Sequence, residues 1–142
     1  MSTPIRRPLS ADVEGLRLAE CWDVLRDAAY GRLVVLDPGG APDVFPVNHL
    51  VHGDALFVRS APGSKLVDIA HDPRVAFEVD AVEDGVAWSV VLRGVATRMD
   101  ADDEIEASGI LDLISANPTE KYVFLRIEAT QVNGRRFRIA VG

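Results

Sequence analysis

Phe57-Val58-Arg59-Ser60-Ala61-Pro62-Gly63-Ser64-Lys65-Leu66 reads as the end of a strand, a tight loop and the start of a helix. Gly63 tolerates positive φ and Pro62 fixes its own φ, so Ala61-Pro62-Gly63 can turn the backbone sharply. Ser64 is the predicted N-cap of a short helix from Lys65 to about Ala70, with Leu66, Ile69 and Ala70 as its apolar stripe. Such a junction gathers backbone N–H groups, the hydroxyls of Ser60 and Ser64, and the cations Arg59 and Lys65. That combination suits a phosphate. Local spacing fits a capped helix with two solvated cations equally well. It is not a P-loop, because G-x-x-x-x-G-K-[ST] is absent, and no G-x-G-x-x-G supports a dinucleotide fold.

The surrounding chain is acidic. Its 142 residues carry 15 Lys+Arg against 22 Asp+Glu, a formal net charge of −7. Nucleic-acid binders show a basic footprint, and an anionic membrane surface repels an acidic protein. Neither partner is expected. Hydrophobic residues make up 48%, enough for a single domain over 1–142 with a real core. Cys21 is the only cysteine, which suits a reducing cytoplasm. MSTPIRRPLS has no apolar run after its basic pair, so it does not read as a secretory signal. Residues 1–12 are expected to form a mobile arm. No apolar segment reaches the ~20 residues of a membrane span.

Leu18, Cys21, Trp22, Leu25 and Ala29 recur at helical spacing and predict a helix from about Arg17 to Ala29. Strands are predicted over Arg32–Leu36, Val44–Val51, Ala55–Ser60, Arg74–Asp80 and Val86–Met99. Two more follow over Tyr122–Ala129 and Val132–Val141. Turn signals at Asp37–Pro42, His52-Gly53-Asp54 and Glu83-Asp84-Gly85 separate the strands. The acidic run Asp100–Glu104, with Ile105, Ile110, Leu111 and Ile114, predicts a further helix. Alternating βαβ units are absent. The expected fold is therefore mainly β with peripheral helices (α+β), an antiparallel barrel.

Within Phe45-Pro46-Val47-Asn48, Pro46 removes a ladder donor and implies an edge, a bulge or an unpaired strand face. An unpaired face could offer backbone groups to a flat ligand; an edge protected from aggregation is the competing reading. Trp88-Ser89 lies in the long strand, where a Trp more commonly serves core or interface. That strand is apolar beyond simple alternation, which suggests burial on both faces, as at a dimer interface. His49, His52 and His71 have no metal-ligand spacing and read as surface histidines, and no metal site is expected. Cys21 reads as a small core residue.

In order along the chain, GRLVVLD from Gly31, DVFPVNHLV from Asp43, LFVRSAPGSKL from Leu56, DPRVAFEVD from Asp72, WSVVLRG from Trp88, YVFLRI from Tyr122 and NGRRF from Asn133 resemble the pyridoxamine 5′-phosphate oxidase-like family of flavin-binding split β-barrels. The resemblance runs from about Leu18 to Phe137 and is nearest the small single-domain bacterial branch. It implies a split antiparallel β-barrel of the FMN-binding type, a homodimer with cofactor sites at the subunit interface, and FMN as cofactor. It further implies that Arg59, Ser60, Gly63, Ser64 and Lys65 hold the phosphate. Phe45, Pro46, Val47 and Asn48 would lie along the isoalloxazine ring, and Trp88 and Ser89 would come from the partner subunit. Some relatives use a deazaflavin coenzyme; the compact RSAPGSK loop leans toward FMN.

The resemblance has limits in the residues themselves. The vitamin-processing enzymes grip substrate with a C-terminal Arg and His, whereas this chain has no His after His71 and ends RRFRIAVG. The nitroimidazole-reductase-like branch often has a His where Arg59 stands. Neither activity is implied. The expectation is a flavin-dependent oxidoreductase acting on an unassigned small molecule, with no catalytic side chain identifiable. A non-catalytic flavin-binding or sensor module is the alternative, as is a deazaflavin-dependent reductase.

Overall fold

A computed structural model describes residues 13–60, 63–99 and 123–139. The expected arm over 1–12, the Ala61-Pro62 part of the turn and the helix expected after Asp100 lie outside the described residues. The described residues form seven strands and two helices in the order β1 (Val13–Gly15), α1 (Leu18–Asp27), β2 (Tyr30–Leu36), β3 (Pro42–His52), β4 (Ala55–Ser60), α2 (Ser64–His71), β5 (Arg74–Glu83), β6 (Val86–Arg98) and β7 (Val123–Arg138).

All pairings are antiparallel. The strand order is β1-β7-β4-β3-β2-β5-β6, and β6 also pairs with β7, so six strands close a ring and β1 is added outside it. Closure depends on the 16 residues of β7. Its first half pairs with β4 from Val123 to Glu128, and nearly its whole length pairs with β6. The two terminal extended segments expected from the sequence are thus one strand. Asn133-Gly134 does not turn; it lies in the ladder opposite Val90 and Val91. The interruption is a β-bulge that leaves Thr130 out of register while its hydroxyl donates to the Arg93 carbonyl at 3.1 Å.

Two hairpins follow their turn chemistry. Asp84 (φ 53°) and Gly85 (φ 76°) join β5 to β6, as a two-residue type I′ turn requires. Gly53 (φ 64°) opens the Gly53-Asp54 link between His52 and Ala55.

Alternation along the strands points Leu33, Val35, Val58, Phe77, Val79, Val90, Leu92, Leu125 and Ile127 into the barrel, all buried. Helix α1 adds Cys21 and Leu25, and α2 adds Ile69. Cys21 is a core residue, as its place on the apolar helix face predicts. Helix α1 ends at Asp27, two residues earlier than expected, because Ala28 is already extended (ψ 137°). Helix α2 begins one residue earlier than expected. Gly63 holds the N-cap position and Ser64 is the first helical residue, so the expected Ser64 cap is corrected.

Two further expectations change. Strand β3 is not an edge strand: it lies between β2 and β4. On β6, Val95 is exposed and Val91 half-buried among the described residues. His49 is not on the surface. It is 5% exposed, with its ring against Phe77 at a centroid distance of 4.8 Å.

Candidate functional site

The site begins with a mismatch in strand length. Strand β3 is 11 residues long and β4 only six. Their ladder covers Asn48↔Arg59 to His52↔Ala55, so β3 runs on from Val47 back to Pro42 paired with β2 alone. Pro46 sits in this stretch, opposite Arg32. The sheet therefore has a step: a central strand whose front half has, among the described residues, one side without a neighbouring strand. A strand edge with one free side is where backbone groups can meet a ligand, and it is also where a proline is tolerated.

Two pairs of the predicted residues lie around this step, Arg59 with Asn48 and Lys65 with Phe45. Directly opposite residues in an antiparallel pair share a face. Arg59 lies opposite Asn48, and its Nη2 donates to the Asn48 Oδ1 at 3.2 Å. Asn48 in turn lies opposite Tyr30. Arg59, Asn48 and Tyr30 thus make one row across β4, β3 and β2 on the outer face of the barrel. Phe45 and Val47 alternate to the inner side, where Val47 is buried and Phe45 half-buried. The Lys65 ammonium lies 4.7 Å from the centroid of the Phe45 ring, a cation–π distance. Burial lowers the Lys65 pKa below its ordinary value, because the charged form loses solvent. Ser60 is buried at the end of β4. The backbone N–H of Leu66 donates to the Gly63 carbonyl at 3.1 Å and closes the first turn of α2.

The Arg59 guanidinium lies on the outer face beside Asn48, and the Lys65 ammonium lies over the Phe45 ring in the first turn of α2. Cations and a helix start are donors suited to an anionic group.

Trp88 and Ser89 are elsewhere in the chain. Ser89 shares the outer face with Val91, and both line a cleft with Asn133, Gly134 and Arg135. Trp88 alternates to the side of Val90 and Leu92, and lines a cleft with Val24, Ala28, Ala81 and the carboxylates Asp23, Asp27 and Glu83. The row Pro46–Arg32–Glu78–Val91 crosses β3, β2, β5 and β6. It puts Ser89's strand three strand spacings from β3, about 15 Å. Pro46, Asn48, Arg59 and Ser89 occupy one face without touching as a group. On that face Arg32 binds Glu78 (2.7 Å) and Asp80 (2.6 Å), and hydrogen bonding to both carboxylates raises its pKa.

Sequence reasoning does not single out Tyr30, because an aromatic residue just before a glycine reads as helix end or strand start. The signal appears only when β2 is aligned with β3. Among the described residues, no cluster of three or more His, Cys, Asp or Glu side chains could hold a metal. No described helix is long and apolar enough to cross a membrane.

A closed antiparallel barrel with two packed helices and a stepped central strand is the split-barrel class. The chain belongs to the pyridoxamine 5′-phosphate oxidase family, whose sequence profile matches residues 17–136. Among solved structures, it is similar to a Corynebacterium glutamicum protein provisionally named a pyridoxamine 5′-phosphate oxidase. The two share 34% identity over 94% of this chain and 99% of the other, with a TM-score of 0.78. It is also similar to the FAD-binding protein of Mycobacterium smegmatis (34% identity, 89% and 100% covered, TM-score 0.77). An FAD-binding protein of Mesorhizobium loti is 27% identical, with 87% and 97% covered and a TM-score of 0.77. No curated protein matches this chain.

Proposed function

We propose that the chain is a flavin-binding protein, that FMN is its cofactor, and that it acts as a flavin-dependent oxidoreductase on a small molecule. The observation that carries this reading is the step at β3, where the Arg59–Asn48 pair and Lys65 flank a strand half that pairs, among the described residues, with β2 alone. The names of two similar proteins, both FAD-binding, support a flavin.

Arg59 and Lys65 neutralise the phosphate, with Ser60, Gly63 and Ser64 completing its cradle. Pro46, Val47 and Asn48 lie along the ring, and Phe45 holds the Lys65 ammonium in place. A bound flavin supplies hydride chemistry; the protein binds it, orients it and limits water. The cofactor sites lie between two copies in this reading, with Trp88 and Ser89 contributed by the partner subunit. The outer face supports an interface: Val44 and Val95 are 59% and 38% exposed there. Exposed apolar residues on one face mark an interaction surface.

The names of the FAD-binding relatives favour a second reading, in which the same cations bind the diphosphate of FAD. Titration separates the two. Purified protein is titrated with FMN and FAD, and released cofactor is identified by mass, which also detects a deazaflavin. Lys65→Ala removes a charge-assisted contact of about 1.5–3 kcal/mol and weakens FMN binding about 10- to 150-fold. Equal affinity in the variant overturns the cradle, and preference for FAD overturns the choice of FMN. Steady oxidation of a reduced nicotinamide with candidate acceptors distinguishes an enzyme from a flavin-binding module.

A further inference from the structure

We propose that Tyr30 is a positioning residue of this site, its phenol forming the wall against which the planar ring of the bound molecule packs. The inference rests on the flavin reading and deepens it. Three observations carry it.

Tyr30 heads β2 and lies directly opposite Asn48, which lies opposite and hydrogen-bonds Arg59. The three residues face outward in one row. Two strand spacings put Tyr30 about 10 Å from Arg59, backbone to backbone. One end of the row is cationic, the middle is an amide and the far end is aromatic. A molecule with an anionic group at one end and a flat ring at the other matches that order.

Tyr30 is 58% exposed in the chain. A phenol left on the surface at the head of β2 is an aromatic surface ready to stack on a ligand ring.

The direction of Tyr30 is also fixed. The next residue, Gly31, is buried so tightly that a Cβ there would meet the Phe77 ring and the Glu78 carbonyl. Gly31 cannot leave the inner face, so strand alternation holds Tyr30 on the outer one.

The experiment separates the two ends of the row. FMN and riboflavin, which lacks the phosphate, are titrated into the wild-type protein, Tyr30→Ala, Tyr30→Phe and Lys65→Ala. Affinity and the fluorescence of bound flavin are the readouts. Tyr30→Ala is expected to weaken FMN and riboflavin by the same factor, about tenfold. Bound flavin should brighten, because ring contact with a phenol quenches its emission. Tyr30→Phe should keep most of the affinity and also brighten. Lys65→Ala should weaken FMN and leave riboflavin unchanged. Because Tyr30 is exposed, melting temperatures of its variants should match the wild type. Unchanged affinity and emission in Tyr30→Ala, with FMN still weakened in Lys65→Ala, overturns the role of Tyr30 and leaves the flavin reading standing. A change confined to oligomeric state overturns it as well. Wild-type protein that binds neither flavin overturns both.

Discussion

His49 joins α1 to β3, and replacing it tests how the barrel holds the strand that carries Asn48. Its Nε2–H donates to the Leu25 carbonyl at 2.7 Å. Leu25 lies in the last turn of α1, where carbonyls have no partner within the helix. The imidazole supplies one. Its Nδ1 is buried and has no hydrogen-bond partner among the described residues, which fixes the neutral tautomer with the proton on Nε2. His49→Ala removes the bond, leaves the Leu25 carbonyl short of a donor and opens space against Phe77. The lost bond and stranded carbonyl cost about 1–3 kcal/mol, and the cavity adds about 1–2 kcal/mol. For a domain of this size about 3 kcal/mol lowers the melting temperature by roughly 10 °C.

The pH dependence has a definite sign. Burial lowers the His49 pKa below its ordinary value of 6.5, and the bond to Leu25 only partly opposes this. The unfolded chain therefore takes up a proton before the folded protein does. His49's contribution is complete above the unfolded value and is lost as pH falls through it toward the folded value. Thermal unfolding followed by circular dichroism from pH 8 to pH 5 measures the slope. His49→Gln keeps a donor of similar reach and removes the titration, so its slope should be shallower than the wild type's. Equal slopes would refute the reasoning, as would an NMR titration in which His49 protonates at or above the ordinary histidine value of 6.5.

Two further outcomes follow from close packing. Gly31→Ala should destabilise by several kcal/mol, since the new methyl meets the Phe77 ring and the Glu78 backbone; unchanged denaturant stability would show that β5 can move aside. The Cys21 thiol is buried and its pKa is raised, first by desolvation and then by Glu20, so a thiol reagent should label it only at the rate of unfolding; rapid labelling of native protein would contradict that burial.

The order of strands, the helix before β2 and the turns at Gly53 and Asp84-Gly85 are legible along the chain because each is encoded by near neighbours. Cys21, Trp22 and Leu25 recur at the helical period, and Asp84-Gly85 favours the turn that its positive φ values confirm. His49 was legible only in principle. Its alternation with Val47 and Val51 hints at an inward face, but polarity argues the opposite until Leu25's carbonyl is known to lie above it. The join across Thr130 was hidden because a bulge and a turn use similar residues, and only the β6 ladder distinguishes them.

The candidate site divides in the same way. Arg59, Gly63, Ser64 and Lys65 are close in sequence, so their strand–loop–helix junction follows from local propensity. Tyr30, Asn48 and Arg59 are 29 residues apart from first to last, and nothing local says that they stand in one row. That row exists because β2, β3 and β4 pair in one register, set by the inward residues that the barrel must bury. Sequence alone determined the class of fold and the cationic junction. Tertiary structure decided which half of β3 pairs with β2 alone among the described residues and which aromatic ring stands in the Asn48–Arg59 row, because those depend on strand lengths and register across pairs of strands.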